Sequence, residues 1–87
     1  MGGHALLTVE LRNPLKATEG MAEVEIYCDP DGLRELSRQI QFLQSNETHL
    51  HLMTPSWAGQ ELTEVPQGEG TTLIHHLRIS LVKNHDV

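Results

Sequence analysis

The stretch that decides the fold is residues 22–43, which read AEVEIYCDPDGLRELSRQIQFL. Up to Cys28, apolar and polar residues alternate, and this period of two is typical of a half-buried strand. Asp29 suits a helix N-cap and Pro30 suits the first helical position. Beyond them the apolar residues recur at helical spacing, at Leu33, Leu36, Ile40 and Leu43. The stretch therefore predicts a strand that leads directly into an amphipathic helix of about 14 residues.

Alternating patterns on either side of this stretch predict the other strands. They cover residues 5–11, 48–53 and 72–82, and a short strand around 61–65 could lie within the long loop 55–71. One helix with one apolar stripe can cover one face of one sheet. We therefore expect a single α+β domain over residues 1–87, in two layers. Its mostly antiparallel sheet has four to five strands in the order β-β-α-β-(β)-β, with the helix on one face. The polar tail 83–87 is expected to fray.

The apolar faces of these elements predict the hydrophobic core. Cys28 lies on the same strand face as Val24 and Ile26 and is expected to be a small buried hydrophobe. The predicted core residues are Leu7, Val9, Leu11, Val24, Ile26, Leu33, Leu36, Ile40, Leu43, Leu50, Leu52, Leu73, Leu77, Ile79 and Leu81.

The composition excludes several classes of function. Twelve acidic residues against six basic ones give a formal charge of −6, which disfavours non-specific binding to nucleic acid and to an anionic membrane surface. The single cysteine excludes an internal disulfide and favours a reduced, cytoplasmic location. No apolar run approaches the roughly 20 residues that span a bilayer. An acidic domain of this kind is steered towards basic partners.

Six histidines, as many as all Lys and Arg together, are the unusual part of the composition. Strand alternation places His49, His51 and His76 opposite the core, on an open sheet face that Glu10, Glu23, Glu25 and Tyr27 are expected to share. His75 falls on the core side, where a hydrogen-bonded histidine is expected. Three imidazoles from neighbouring strands are also the arrangement that a three-histidine zinc site needs. A solvated or interface histidine cluster is nevertheless the favoured interpretation, because the spacing matches no established zinc motif.

The sequence holds no convincing catalytic constellation. Ser56 lacks the frame of a nucleophile elbow, and the segment 68–70 is not a phosphate loop because no Gly-Lys-Ser/Thr follows. Trp57 has two interpretations that the sequence leaves open. It could cap the end of the helix–sheet core, which is slightly favoured, or it could be an exposed anchor for a partner.

The most specific block of the sequence is residues 49–57, HLHLMTPSW. Together with residues 25–29, Gly32-Leu33, Gly59, residues 61–63 and residues 75–79, it resembles the Immunity protein 32 family. These are small bacterial proteins associated with polymorphic toxin systems. The resemblance covers about residues 20–82 and implies a non-catalytic protein, without a cofactor, that binds and neutralises a cognate toxin.

Acidic inhibitors commonly meet basic nuclease active sites by charge complementarity, so a basic nuclease is the expected kind of toxin. The open sheet face and the loop 55–71 are expected to form the binding surface. The residues expected to bind the partner are His49, His51, Trp57, Glu61, Glu64 and His76. The alternative is a small metal-binding protein or metal-dependent hydrolase that uses His49, His51 and His76. A homodimer with the open sheet faces packed together is a third interpretation.

Overall fold

The structure is a computed structural model of the chain, and it describes residues 5–13, 15, 19–46 and 48–82. This part of the chain contains one helix and five strands, and the first three strands and the helix follow in the order that the sequence predicts. The elements are β1 (Leu7–Arg12), β2 (Glu23–Cys28), α1 (Pro30–Asn46), β3 (His49–Met53), β4 (Thr71–Ile74) and β5 (His76–Ser80). A short 3₁₀ helix covers Pro55–Trp57. The α+β class is confirmed, while the polar tail 83–87 lies outside the described residues.

The strands form two antiparallel sheets. One has the order β2-β1-β4, and the other pairs β3 with β5. The expected strand 72–82 is broken at His75, where the chain leaves β1 and joins β3. There the His75 carbonyl accepts a hydrogen bond of 3.0 Å from the Thr54 N–H. Ile74 and Leu77 both pack against the core, although strict alternation would separate them, so the bend at His75 exchanges the two faces of the strand.

The cap that the sequence predicts at the helix start is confirmed. The Asp29 carboxylate accepts hydrogen bonds from the N–H of Gly32 at 2.6 Å and of Leu6 at 3.0 Å. The Asp29 N–H in turn donates to the Leu6 carbonyl at 3.1 Å. Gly32 lies so close to that carbonyl that a Cβ atom there would overlap it. The first turn of α1 is therefore fixed directly against the start of β1.

The core is centred on β1 and β3. Its buried apolar residues are Leu7, Val9, Leu43, Leu50, Leu52 and Leu62. Leu36, Ile74, Leu77 and Ile79 pack against it, partly buried. Leu62 comes from the segment 55–71, which the alternation of the strands does not identify. Residues 61–65 were expected to hold a short strand, but they form none.

Several residues of the predicted core are exposed instead. They are Val24, Ile26, Leu33, Ile40, Leu81 and Cys28. Leu81 follows the end of β5, and for the other five the physical reason is the position of α1. Because Gly32 is held against Leu6, the helix buries the centre of its stripe, at Leu36 and Leu43, over β1 and β3. The flank with Leu33 and Ile40 is left uncovered, and so is the corresponding face of β2.

Glu10, in the middle of β1, is fully buried. The expectation that it lies on an open sheet face is therefore wrong. Its carboxylate accepts four hydrogen bonds, from the Thr71 hydroxyl at 2.6 Å, the Thr8 hydroxyl at 2.7 Å, the Gln67 N–H at 2.8 Å and the Gly68 N–H at 3.1 Å. Burial by itself raises the pKa of Glu10, but these donors stabilise the carboxylate and bring the pKa down to about 2.

Two contacts thus hold the segment 55–71 against β1. Glu10 fixes its end, and the Thr63 N–H donates to the Leu7 carbonyl at 2.7 Å near its middle. The Thr63 hydroxyl accepts a hydrogen bond of 3.1 Å from the Leu7 N–H. The loop that the sequence leaves open is therefore a cover on the central strand.

We expect the Glu10→Gln substitution to lower the free energy of unfolding at pH 7 by about 2 kcal/mol, since an amide cannot accept from all four donors. The folded pKa of about 2 lies below the ordinary 4.5, so Glu10 stabilises the fold above pH 4.5. That contribution is lost as the pH falls from 4.5 towards 2. Urea unfolding across this range checks both effects, and the variant should have a flatter profile. Equal stability of Glu10→Gln and the native protein would contradict this account. The control is Glu23→Gln, at an exposed position, which should change the free energy of unfolding by no more than about 0.5 kcal/mol.

Candidate partner-binding face

The outer surface of β3 and β5 carries a cluster of imidazoles. Leu50, Leu52 and Leu77 point into the core, so the residues between them on each strand point outward. The cluster consists of His49 and His51 on β3 and His76 on β5, with Trp57 at its end. These four residues are called the histidine face below. The three histidines thus lie together on one side of the sheet, as the sequence predicts.

His51 and His76 are in direct contact. Their Nδ1 and Nε2 atoms are 2.6 Å apart, and their ring centroids are 4.8 Å apart. His49 packs edge-on against His51 at 5.0 Å. One nitrogen of the 2.6 Å pair must donate while the other accepts, so a single proton lies between the two rings. Burial lowers the pKa of His51, and the neighbouring His76, His49 and Arg78 lower it further because a second positive charge is unfavourable there.

Trp57 is 55% exposed, so the interpretation of this residue as a cap on the core is wrong. Its ring lies parallel to His75 at 6.5 Å and tilted against His76 at 5.8 Å. The N–H groups of Trp57 and Gly59 both donate to the Thr54 carbonyl at 2.9 Å. A Cβ atom at Gly59 would overlap the Met53 backbone, so the tight turn behind Trp57 requires glycine there. The backbone that carries the indole is therefore fixed by this turn, and the indole lies at the surface.

His75 belongs to this region, although the sequence places it on the core side. Its Nδ1 atom lies 2.7 Å from the hydroxyl of the buried Thr54, so the expected hydrogen bond is confirmed. The Glu64 carboxylate is 3.9 Å from the same nitrogen and accepts a hydrogen bond of 2.6 Å from the Ser56 hydroxyl. Sequence reasoning missed this group because the bend that turns His75 towards Trp57 leaves no mark in the alternation.

The carboxylates expected around the histidines are placed differently. Glu23 and Glu25 lie in the other sheet, where Glu25 accepts hydrogen bonds from Arg12 at 2.5 Å and from Tyr27 at 2.9 Å. Glu61 accepts a hydrogen bond of 3.0 Å from the Met53 N–H and lines a cleft of about 520 Å³ between α1 and the segment 55–71. Of these carboxylates, Glu64 is the one that lies beside His75, which stacks on Trp57 of the histidine face.

Among the described residues, no group of three His, Cys, Asp or Glu side chains is arranged to hold a metal ion. The metal-site alternative for His49, His51 and His76 stays a prediction. Within the same part of the chain, no helix has both the length and the apolar character needed to cross a membrane.

Comparison with known families identifies the chain. The sequence profile of Immunity protein 32 matches residues 23–77, more than half of its length. The chain belongs to the Immunity protein 32 family. Membership indicates a toxin-neutralising function, with a cognate toxin as the partner. No curated protein and no solved structure matches the chain.

The range that defines this Immunity protein 32 member contains the whole histidine face. It begins at β2 and ends at Leu77, and so includes β3, the segment 55–71 and His76. Strand β1, with the buried Glu10, lies outside the matched range. The part of the chain that carries the family identity is therefore the part that builds the candidate surface.

We expect His51 to titrate at a lower pH than an ordinary histidine, as measured from its ring proton shifts by NMR. In the His76→Ala variant the pKa of His51 should rise towards its ordinary value, since both the burial and the positive charge of His76 are removed. The His75→Ala variant is the control, because His75 does not contribute to the shift. A His51 pKa that is unchanged or lowered in His76→Ala would contradict the proposed contact.

Proposed function

We propose that this Immunity protein 32 member neutralises its toxin by direct, non-catalytic binding through the histidine face and the segment 55–71, in the cytoplasm. The observation that carries the proposal is the exposed Trp57, held against His75 and His76 by the turn at Thr54. Tryptophan is enriched among the residues that dominate binding energy at protein interfaces. Because the turn already fixes the backbone at Trp57, a partner that covers the indole has to order only its side chain.

The surroundings of Trp57 suit a protein partner. The imidazoles of His49, His51 and His76 offer both donors and acceptors, and their rings add apolar area around the indole. The carboxylate of Glu64, at the margin of this face, is available to a basic group of the toxin. Protein interfaces typically have aromatic residues at their centre and polar residues around them, and this surface has the same arrangement.

The net charge of the chain supports a basic toxin, of which a nuclease is one kind. A formal charge of −6 attracts a basic partner over several ångströms and raises the rate of association. This attraction weakens with salt, because the Debye length falls from about 10 Å at 0.1 M to about 3 Å at 1 M. The association rate should therefore decrease with ionic strength.

The contacts of Ser56 support inhibition by binding rather than by chemistry. Its hydroxyl donates to the Glu64 carboxylate, so it is not paired with the imidazole that most often activates a nucleophilic serine. The nearest imidazole in this group, His75, is engaged by the Thr54 hydroxyl. This arrangement favours a function without enzymatic activity.

We expect the combined substitution of His49, His51 and His76 by alanine to weaken toxin binding at least 100-fold (roughly 3 kcal/mol) while the fold is kept. All three side chains lie on the outer surface of β3 and β5, so their removal opens no cavity in the core. Titration calorimetry with the toxin encoded beside the gene measures the affinity, and circular dichroism checks the fold. Trp57→Ala should weaken binding at least tenfold in the same assay.

The control is Gln41→Ala, a change on the exposed surface of α1, which should leave the affinity within twofold of the native protein. Native affinity in the triple-histidine variant would overturn the assignment of the surface. If native protein fails to bind the neighbouring toxin at all, the proposed function itself is wrong.

The second candidate function, a metal-binding protein or metal-dependent hydrolase, is favoured by one observation. His51 Nδ1 and His76 Nε2 face each other, so moving the rings slightly beyond the present 2.6 Å would let both nitrogens bind one metal ion. Neutral imidazole nitrogens are good ligands for zinc. Elemental analysis of protein purified without an affinity tag discriminates between the two functions. Stoichiometric zinc, lost in His51→Ala, would favour the metal function.

A further inference from the structure

A second surface, distinct from the histidine face, exposes apolar residues that the sequence pattern assigns to the core. Val24 and Ile26 on β2 are 58% and 42% exposed, and Leu33 and Ile40 on α1 are 53% and 40% exposed. These four residues are called the α1–β2 surface below. Large apolar side chains that are exposed together commonly mark an interaction site.

The four residues lie on the same side of the molecule. The opposite flank of α1, with Glu35 and Gln39, faces Leu62 and Thr63 across the cleft. Thr63 is bonded to Leu7 on the edge of β1 that leads towards β4, whereas β2 occupies the other edge. The flank of α1 with Leu33 and Ile40 therefore faces β2. The α1–β2 surface is thus one continuous region beside the edge of the sheet.

Strand β2 is also an open edge of its sheet, with β1 as its neighbour on one side among the described residues. The backbone N–H and carbonyl of Leu7 are bonded to Thr63, so they point away from β2. The carbonyl of the preceding residue, Leu6, accepts from the Asp29 N–H and so points towards β2. By the alternation of an antiparallel ladder, the backbone groups of Glu23, Glu25 and Tyr27 face β1. Those of Val24, Ile26 and Cys28 face outward. An edge of this kind is a template for a further strand.

We propose that β2 pairs antiparallel with β2 of a second copy of this chain, in a register centred on Ile26. In this register Ile26 faces its own equivalent, and Val24 faces Cys28 of the second copy. All outward N–H and carbonyl groups of these three residues are then hydrogen-bonded. The two three-stranded sheets become one six-stranded sheet, and the two α1–β2 surfaces become neighbours.

The side chains of β2 favour a second copy as the occupant, because its exposed residues Val24, Ile26 and Cys28 are arranged symmetrically about Ile26. The charged residues between them favour the Ile26-centred register. With Ile26 at the centre, Glu25 lies opposite Tyr27 of the other copy, so a carboxylate meets a phenol. A register centred on Glu25 would place two carboxylates directly opposite each other, which is destabilising. In the Ile26 register Glu23 lies opposite Asp29, but the Asp29 carboxylate is turned onto the Gly32 and Leu6 N–H groups. The strand is therefore complementary to itself in one register.

The proposed dimer should respond to salt in the opposite direction from toxin binding. Two chains of charge −6 repel each other, so screening should strengthen the dimer. The apolar contacts and backbone hydrogen bonds that hold it together are little weakened by salt. Because the histidine face takes no part in the contact, the triple-histidine variant should dimerise like the native protein, and failure of either proposal leaves the other testable.

Sedimentation of the full chain at increasing concentration tests the dimer. We expect a concentration-dependent dimer that is favoured by salt, and at least a 100-fold increase in its dissociation constant in Ile26→Lys. Ile26 is half-exposed, so the lysine variant should keep its fold, as circular dichroism would show. A native protein that stays monomeric, or a dimer unaffected by Ile26→Lys, would overturn the proposal.

Disulfide trapping tests the register. In an antiparallel hydrogen-bonded pair the Cα atoms are about 5.5 Å apart, which a disulfide can span. Val24→Cys should therefore cross-link through the native Cys28 of the second copy under mild oxidation. Positions 24 and 28 of one chain are about 14 Å apart along the strand, so the bond cannot form within a chain.

Two controls make this test specific. The double variant Val24→Cys/Cys28→Ser should lose the cross-link, and Val82→Cys, exposed but remote from β2, should not form one. A cross-link that persists in the double variant, or none in Val24→Cys, would contradict the Ile26-centred register.

Discussion

The structure depends on one buried charge, the carboxylate of Glu10 in the middle of β1. A carboxylate in this position would be very costly if it lacked partners. Its four hydrogen bonds come from Thr8 on the same strand and from Gln67, Gly68 and Thr71 at the end of the segment 55–71. The charge is therefore stable only while the segment is closed over β1. A long connection that would otherwise be loose becomes part of the folded domain.

Closing this segment also assembles the candidate binding surface. The same stretch of chain brings Leu62 into the core and places Ser56 and Glu64 beside His75. It also holds Trp57 against the histidines of β3 and β5, although these strands belong to the second sheet. The family match covers the histidine face, while the buried carboxylate that stabilises it lies outside the match. Elsewhere on the domain, α1 leaves part of β2 uncovered. The two proposals thus assign different partners to two separate surfaces.

Sequence reasoning succeeded where the determining forces are local. The Asp29 cap follows from the capping preference of Asp and Pro, and the helix, strands β1 to β3 and the shared side of His49, His51 and His76 follow from alternation and helical spacing. It failed where contacts between residues far apart in the sequence determine the structure. Three of the four donors to Glu10 are 57 to 61 residues away, and the bend at His75 appears only because the chain changes partners from β1 to β3. The exposure of Ile26 likewise depends on where Gly32 fixes α1 against Leu6, which no period reveals.

Hydrogen–deuterium exchange of the chain with and without its purified toxin tests the central claim most directly. That claim is that the toxin covers the histidine face and the segment held over β1. We expect the toxin to slow exchange in residues 49–64 and 76–80, with residues 23–28 changed little. Protection confined to residues 23–43, with 49–64 unaffected, would show that the toxin occupies the α1–β2 surface and would contradict the account.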